Sequence, residues 1–515
     1  MNHFVKVTAL ALLHVLMIAW GRQTLFAQNE EWLWAKSAGG AGVEGVNGID
    51  VFADGSFVIT GFFGELVNFG NIELVSAGNR DIFVVKYDSG GNILWAKRAG
   101  GADYDEAGGI KALTDGSVLV TGSFENMANF DGITLESYGQ DDVFLAKYDA
   151  EGNVLWAYKA GGAFSEASSG ITALSDGSFA ITGYFRSETV DFGGVTLEGI
   201  PFGNIFVAKY DMDGNIMWAK KALVNYANPE PQIDGFGDGS VVVTGDFYET
   251  ANFDGVSLPN AGESDAYIAK YDVAGNLLWA KSAGGLGYDN GYGIAAFSDG
   301  TSVVTGHFRE TGDFGGVQLT SAGGNDIFVV KYDAFGNVLW AKRAGGIFND
   351  DGRGIASSID GSVFIVGEFA ETAEFDEYTL QSPDDFDIFV ASYDSNGNVT
   401  GVKSAGGPNN DTGRDVAATA DGSVVAVGVF TMTADFGGIP LQSAGGTDLF
   451  VARLGVPGPA AFGSPAQESV SASATSPNGL SYVAGTFSEP FTIAGTELVS
   501  NGGTDVYLAA FSPGG

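Results

Sequence analysis

The sequence predicts an all-β protein built from one repeated four-stranded unit, and three observations carry this prediction. The phrase TGxF recurs along the chain at steps of 61 or 62 residues, with a last step of 57. Each copy contains short alternating or β-branched runs separated by Gly, Asp and Asn turns, as strands do. No long apolar pattern with the 3.6-residue period of a helix appears. The TGxF glycines are Gly61, Gly122, Gly183, Gly245, Gly306, Gly367, Gly428 and Gly485.

Eight four-stranded units without intervening helices predict a single β-propeller, in which each unit supplies one radial blade. A β-helix is the structural alternative, but its rungs are usually much shorter than 61 residues. The eight copies leave no linker and no second domain. We therefore expect the propeller to occupy residues 28–515.

Each unit can be divided into strands A, B, C and D. Strands A and B form a hairpin, as in GITALSDGSFAITGYF, where Asp176-Gly177 predicts a two-residue turn with positive φ. Strand C is the DIFVAKYD-like run and strand D the LWAK run, with Gly-Asn turning the chain between them. The tryptophan of LWAK predicts packing between neighbouring blades. These tryptophans are Trp34, Trp95, Trp156, Trp218, Trp279 and Trp340.

The order of strands also predicts how the propeller closes. The first recognisable strand is an unpaired strand D, EWLWAKSAGG from Glu31, and the last is a strand C, TDVYLAAFS from Thr504. We expect residues 31–38 to pair with the strand from Asp505 to Ala510 and to complete the last blade. This pairing gives eight blades, with seven blades as the alternative.

Charge and cysteine content restrict the partners. The formal charge is −39, from 63 acidic and 24 basic residues, which disfavours nucleic acids and anionic membranes because both need a basic face. Cysteine is absent, so disulfides and thiolate chemistry are excluded. We expect a monomer.

The N-terminus predicts export. Residues 1–27 contain Lys6, a long apolar run and a small residue at Ala27, as in a cleaved signal peptide. No later segment has the 18 or so apolar residues of a membrane-spanning helix. The sequence therefore predicts a secreted or cell-surface protein, on the extracellular side of a bacterial envelope.

The repeats resemble the bacterial propeller repeats called SBBP repeats. The shared phrases are AGG followed by an acid and GI, then DGSxxxTGxF, then DIFVAKYDxxGNxLW, and they recur from about Trp32 to Phe511. The resemblance implies a propeller fold and a binding role at the cell surface, without a shared reaction. Members of that family are commonly described as seven-bladed, so the expected count of eight departs from it.

Catalytic motifs are scarce. After removal of the signal peptide His307 is the only histidine, and its position after TG predicts a strand residue. Zinc sites usually use His or Cys ligands, which are almost absent here, and neither GxSxG nor a nucleotide-binding motif is present. We expect no enzyme and no catalytic residue. A carbohydrate-active hydrolase or lyase is the alternative, since paired carboxylates are abundant.

An acidic position recurs seventeen residues before each TGxF glycine, in the loop from strand D to the next strand A. Its members are Glu44, Asp105, Glu166, Asn228, Asp289, Asp350, Asp411 and Glu468. Such residues can fix a loop by accepting backbone N–H groups, which is the structural interpretation. The functional interpretation is calcium held by the seven acids, because calcium needs only oxygen ligands. No other cofactor is expected.

The fourth acidic position and its surroundings break the pattern. KALVNYANPEPQI, from Lys221 to Ile233, replaces the usual AGG, and Asn204 replaces the aspartate that begins strand C. Loops that depart from a symmetric scaffold often carry function. The sequence therefore predicts a protein- or glycan-binding site on the loop face. Its candidate residues are Phe202, Asn225, Tyr226, Asn228 and Glu230.

Overall fold

A computed structural model describes residues 30–200, 203–225 and 230–455, with the backbone of five later strands between 469 and 511. For residues 225, 383 and 384 only the backbone is described. The predicted signal peptide, residues 1–27, lies outside the described residues. Every regular element in the described part is a β-strand, which confirms the all-β prediction.

The chain divides into two compact units. One contains Trp34–Thr419 and Val425–Ala452, and the other contains Met1–Leu33, Ala420–Val424 and Arg453–Gly515. The strands up to residue 455 are β1 (Glu31–Gly40), β2 (Glu44–Val51), β3 (Phe57–Phe63), β4 (Leu66–Phe69), β5 (Ile72–Val75), β6 (Asp81–Tyr87), β7 (Ile93–Gly101), β8 (Asp105–Ala112), β9 (Val118–Phe130), β10 (Ile133–Tyr148), β11 (Val154–Ala160), β12 (Glu166–Ala173), β13 (Ser178–Phe185), β14 (Thr189–Asp191), β15 (Thr196–Glu198), β16 (Asn204–Asp211), β17 (Ile216–Asn225), β18 (Gln232–Gly235), β19 (Val241–Phe253), β20 (Val256–Pro259), β21 (Asp265–Tyr271), β22 (Leu277–Gly285), β23 (Asn290–Ala296), β24 (Ser302–Phe314), β25 (Val317–Tyr332), β26 (Val338–Ala344), β27 (Asp351–Ser357), β28 (Val363–Phe375), β29 (Tyr378–Tyr393), β30 (Val399–Ala405), β31 (Thr412–Ala418), β32 (Val424–Asp435) and β33 (Pro440–Gly455).

These strands form seven four-stranded antiparallel groups in the order A, B, C, D. The first group is β2-β3-β6-β7 and the sixth is β27-β28-β29-β30. The A strands are β2, β8, β12, β18, β23, β27 and β31, and each contacts the next. Because β31 also contacts β2, the seven A strands form a closed cycle, as the innermost strands of a propeller do.

The predicted closure is wrong in its partner strand. In the sheet β31-β32-β33-β1, the N-terminal strand β1 lies beside β33 of the seventh repeat and supplies its strand D. Gly39 of β1 lies directly against Asp448 of β33. The physical reason is that the A-strand cycle is already complete after seven members, so the seventh blade is the one that needs the orphan strand.

The eighth repeat, described by itself, forms the same hairpins as the others. Its strands are β34 (Ser469–Thr475), β35 (Ser481–Phe487), β36 (Phe491–Ile493), β37 (Thr496–Leu498) and β38 (Asp505–Phe511). They build one antiparallel sheet, β34-β35-β38, and one ribbon, β36-β37. Strands A, B and C of this repeat therefore agree with the sequence prediction.

The apolar core lies between neighbouring blades. One cluster joins Ile205 and Val207 of the third repeat to Val243 and Phe247 of the fourth. The predicted tryptophan packing is confirmed: Trp279 packs against the core, and its Nε1 donates to the carbonyl of Ala334 in the next blade at 3.0 Å.

The C–D turn of the next blade provides the surface on which each tryptophan lies. The Trp95 ring lies against Gly152, whose φ of +82° and lack of a side chain both suit this position. A Cβ on Gly152 would approach the ring to 2.8 Å. The recurring Gly-Asn turn and the tryptophan one repeat earlier therefore depend on each other.

The glycines of the AGG phrase join neighbouring blades. The arm between strands B and C reaches the previous blade and pairs with the end of its strand D, as Gly39 pairs with Asn68. Gly100 pairs with Asn129 and Gly284 with Asp313 in the same way. Each blade is thus bonded to its predecessor through backbone hydrogen bonds as well as apolar contacts.

The A–B turns differ from the predicted two-residue form. The amide of Phe52 donates to the carbonyl of Ser56 at 2.7 Å, so three residues, 53–55, form the loop. Only Gly55 has positive φ, because Asp54 instead accepts the amide of Ser56 at 2.9 Å. This is the three-residue hairpin that ends in a left-handed glycine.

Candidate functional site at the channel mouth

The A strands surround a central channel, and the cavity at their N-terminal ends, of 290 Å³, is here named the channel mouth. The residue three positions after the recurrent acidic position faces this cavity in most repeats. The lining residues at that position are Asn47, Gly108, Ser169, Tyr292, Arg353 and Arg414. The corresponding residue of the fourth repeat is Pro231. One position of the repeat is therefore occupied by a different residue type in nearly every blade.

Arg353 is held firmly in the wall of the mouth. Its Nη2 donates to Glu368 Oε1 at 2.6 Å and to Asp351 Oδ2 at 3.2 Å. Its guanidinium carbon lies 5.5 Å from the centre of the Tyr292 ring, which is a cation–π distance. Two carboxylates thus compensate the charge of Arg353 and fix its orientation.

Arg414 occupies the same position one blade later but lacks such compensation. It is exposed to the cavity, and within the described residues no carboxylate oxygen lies within 4.0 Å of its guanidinium. Burial lowers the pKa of Arg414, and the nearby charge of Arg353 lowers it further. Arg414 therefore presents a positive charge and five N–H donors toward the cavity.

Two glutamates balance the cations across the mouth. Glu106 accepts the side-chain amide of Asn47 at 2.9 Å, and burial raises the pKa of its carboxyl group. Glu230 is exposed and lines the same cavity. The mouth therefore contains both signs of charge, with the arginines on adjacent blades.

His307 lies in strand β24 next to this region, as predicted from its position after TG. Its Nδ1 lies 3.0 Å from Asp351 Oδ1, and its ring meets Tyr292 at 5.2 Å in an edge contact. Burial acts to raise the pKa of Asp351, but His307 and Arg353 hold it below its usual value. His307 thus belongs to the network that fixes Arg353.

Apolar side chains are exposed on the D–A loops that lead into the mouth. Leu286 is 70% exposed and Ile347 is 67% exposed. Five further exposed side chains lie on D–A loops: Tyr288 shares the loop of Leu286, Phe348 shares the loop of Ile347, and Val43, Tyr104 and Phe164 lie on three other loops. We name these seven residues the apolar rim.

The residues predicted for ligand binding are only partly placed. Glu230 lies in the channel mouth. The backbone of Asn225 pairs with Tyr248 at the end of β17. Phe202, Tyr226 and Asn228 lie outside the described residues, so their part in the predicted site stays a prediction.

The acidic positions predicted to bind calcium are buried inside the blades. Asp350 is fully buried and accepts the amides of Gly346 at 2.6 Å and Ala370 at 3.1 Å. Asp105 and Asp289 accept equivalent amide pairs. Glu44, Glu166 and Asp411 are equally buried, and Glu468 lies outside the described residues. These bonds agree with the loop-fixing interpretation.

Each buried acid also lies near the aspartate that begins the preceding strand C. A Cβ placed on Gly284 would come within 2.6 Å of both Asp265 Oδ1 and Asp289 Oδ2. Burial raises the pKa of both, to about 6. In the described part of the chain, no three or more His, Cys, Asp or Glu side chains group as metal ligands. Calcium binding at these acids stays a prediction.

A second cavity, of 230 Å³, follows the channel away from the mouth, and its polar groups are used between blades. Asp50 accepts the amide of Ala112 at 2.8 Å and pairs with Lys111 at 3.1 Å. Asp415 accepts the amide of Ile49 at 3.1 Å. In this part of the channel, polar side chains bond neighbouring blades to each other. At the mouth, the N–H donors of Arg414 face the cavity instead.

Sequence reasoning did not find Arg353, Arg414, Tyr292 or Asn47. The sequence prediction of the site depended on a loop that departs from the repeat consensus, whereas these residues lie on regular strands. The signal that could have found them is a single strand position that varies while the residues around it repeat.

No family model matches this chain. An uncharacterized WD repeat-containing protein of Acanthamoeba polyphaga mimivirus is 24% identical over 447 residues, covering 69% of this chain and 32% of that protein. The regulatory protein FlaEY of Caulobacter vibrioides is 28% identical over 240 residues, covering 45% of this chain and 24% of that protein. The chain therefore spans about a third or less of the length of these relatives.

Solved structures were compared as well. The WD40 domain of Neurospora crassa Pan2 aligns with a TM-score of 0.44 at 9% identity, over 84% of this chain and 98% of that one. A quinohemoprotein alcohol dehydrogenase from Comamonas testosteroni aligns with a TM-score of 0.37 at 10% identity, over 83% and 78%. The strand order and the WD-repeat relative identify the chain as a repeat protein of the β-propeller class.

Within the described residues there is no helix of the length and apolarity that crossing a membrane requires.

Proposed function

We propose that this chain is a non-enzymatic binding module, secreted or displayed at the cell surface, that holds a protein or glycan on its loop face. The observation that carries the proposal is the channel mouth, where one strand position presents Asn47, Tyr292, Arg353 and Arg414 to a common cavity. Propellers often bind ligands where symmetric blades converge, and adjacent loops can then add contact area.

The apolar rim is a second feature that favours the loop face around the channel mouth as the binding surface. Exposed Leu286 and Ile347 lie on loops that lead directly into strands lining the mouth. An exposed apolar patch beside a polar cavity is typical of an interaction site. The resemblance to repeats of secreted and surface proteins and the signal-like segment 1–27 support an extracellular location.

The experiment is affinity capture from the native cell surface with three forms of the chain. Wild type is compared with a rim variant, Leu286→Asp combined with Ile347→Asp, and with a control, Leu94→Asp combined with Leu155→Asp. Leu94 and Leu155 are also more than half exposed, but they lie on the D strands. A partner retained by wild type and control and lost by the rim variant supports the proposal.

Loss with the control, or equal retention by all three forms, would place binding elsewhere. A carbohydrate-active hydrolase or lyase is the alternative function. Turnover of a polysaccharide panel by the purified chain would support that alternative, and binding without turnover supports the module.

A further inference from the structure

The two channel-mouth arginines, Arg353 and Arg414, differ in the carboxylates that lie close to their guanidinium groups. Arg353 bonds to Glu368 and Asp351, whereas Arg414 has no carboxylate within 4.0 Å among the described residues. Glu106, Glu230 and Glu368 act on Arg414 only at longer range. A guanidinium beside another guanidinium gains most from an anion that reaches it directly.

The surrounding acids select the kind of anion. Glu106 and Glu230 line the same cavity as Arg414, so a doubly charged phosphate or sulfate would be repelled more strongly than a singly charged group. A carboxylate carries one charge, and its two oxygens match the fork of a guanidinium. The mouth is therefore suited to one carboxylate.

Charge distinguishes between sources of that carboxylate. The apolar rim holds aliphatic side chains, such as Leu286, and aromatic ones, such as Phe164, and both kinds pack against apolar protein side chains. The net charge of −39 favours a partner with a basic surface around the inserted acid. These features favour a protein over a glycan.

We propose that Arg414, beside Arg353, binds the carboxylate of an Asp or Glu side chain of a protein partner inserted into the channel mouth. This inference rests on the proposed binding function and names the chemistry that the site recognises. Arg353, held by Glu368 and Asp351, forms part of the cavity wall, and Arg414 supplies the donors that face the cavity.

The test uses an array of capped 12-residue peptides, each with a central Asp or Glu, flanked by apolar and basic residues. Each peptide is paired with its Asn or Gln counterpart, which removes the charge but keeps the shape. Peptides retained by wild type are expected to lose at least tenfold in affinity when the acid becomes the amide.

The same peptides are titrated against Arg414→Gln, Arg414→Lys and a control, Lys281→Gln. Lys281 is an exposed cation on β22, a strand D, and does not line the cavity; its replacement by glutamine removes one positive charge, as Arg414→Gln does. We expect Arg414→Gln to weaken binding at least tenfold, Arg414→Lys to weaken it less and Lys281→Gln to change it less than twofold. Melting temperatures confirm that each variant is folded.

Three results would overturn the inference. These are equal binding of acid and amide peptides, equal binding by Arg414→Gln and wild type, or retention of oligogalacturonate instead of every peptide. The proposed function fails separately, since it requires a captured partner that depends on the apolar rim. A partner lost with the rim variant but retained by Arg414→Gln keeps that function and refutes the carboxylate site.

Discussion

The buried acidic positions and the channel-mouth positions lie three residues apart along each A strand, yet they behave in opposite ways. Asp105, Asp289 and Asp350 repeat the same carboxylate and the same backbone bonds. Three residues later the side chains are Gly108, Tyr292 and Arg353. A carboxylate that accepts backbone amides of two adjacent strands is fixed by its local bonds, whereas a residue facing a shared cavity is free to differ.

The junction of the third and fourth repeats indicates that the buried acids act in pairs. There Asn228 replaces the loop acid and Asn204 replaces the aspartate that begins strand C of the third repeat, so both positions change together. Asn204 uses its amide to donate to the carbonyls of Phe185 and Ile200, which a carboxylate cannot do. Paired substitution is expected where two carboxyl groups share one buried space.

The largest change in the free energy of unfolding is expected at a tryptophan that recurs between blades. Trp279→Ala removes a ring that packs between blades and donates to Ala334, and should lower the free energy of unfolding by about 3 kcal/mol. Leu278→Ala, one residue earlier and 54% exposed, should change it by less than about 0.5 kcal/mol. Urea denaturation of both variants measures the difference, and equal values would contradict the packing role.

The buried acids should come next. Asp350→Ala leaves the amides of Gly346 and Ala370 buried without acceptors, at a cost of about 2–3 kcal/mol. Asp350→Asn keeps one acceptor oxygen and should cost less. Arg414→Ala, at the channel mouth, should alter unfolding by less than about 0.5 kcal/mol. If Arg414→Ala destabilised as much as Asp350→Ala, the separation between packing and recognition positions would be wrong.

Stability should also depend on pH in a defined direction. Burial raises the pKa of Asp105, Asp350 and Asp411 to about 7, from an ordinary value of 3.8. These carboxyls bind protons more tightly in the folded chain, so their contribution is full below about pH 4 and is lost as pH rises through 7. The melting temperature should therefore fall between pH 5 and pH 8.

A paired variant checks the source of this pH dependence. Asp81→Asn with Asp105→Asn reproduces the asparagines found at positions 204 and 228 and should reduce the fall in melting temperature. Asp149→Asn is the control, because turn hydrogen bonds lower the pKa of that exposed carboxyl and it is fully ionised throughout this range. A fall of the same size in all three proteins would assign the pH dependence to other groups.

Calcium is expected to have the smallest effect. The loop acids already accept backbone amides, so an ion has to compete with those bonds. Millimolar calcium should add at most about 1 kcal/mol, seen as a small saturable rise in melting temperature. The rise should disappear in Asp289→Asn; the same rise in that variant, or with magnesium, would refute a site at these acids.

The fold was predictable because repetition multiplies weak signals. A single Gly-Asn turn before a tryptophan says little, but five copies at one spacing identify strands, turns and the packing of Trp95 or Trp340. Closure was not predictable in the same way. Whether β1 pairs with the seventh or the eighth strand C depends on how many A strands fit around the channel, and the repeats themselves are nearly identical.

The candidate site was less accessible to sequence reasoning. Glu230 was found because its loop departs from the consensus, but Arg353 and Arg414 lie on regular strands. Their meeting depends on the curvature that brings blades six and seven together at the channel. Local sequence does not encode the distance between two arginines that are 61 residues apart.

Closure through β1 also has a consequence for the folding of the chain during synthesis. Ile49 bonds to Asp415 across 366 residues, and β1 stays without its partner until β33 has left the ribosome. Until then the first and last blades each present an apolar face and an open sheet edge, as intermediates of large β proteins do. Contacts of such sequence separation form slowly. We therefore expect ring closure to limit the folding rate, and nascent chains that end before residue 440 to need chaperones.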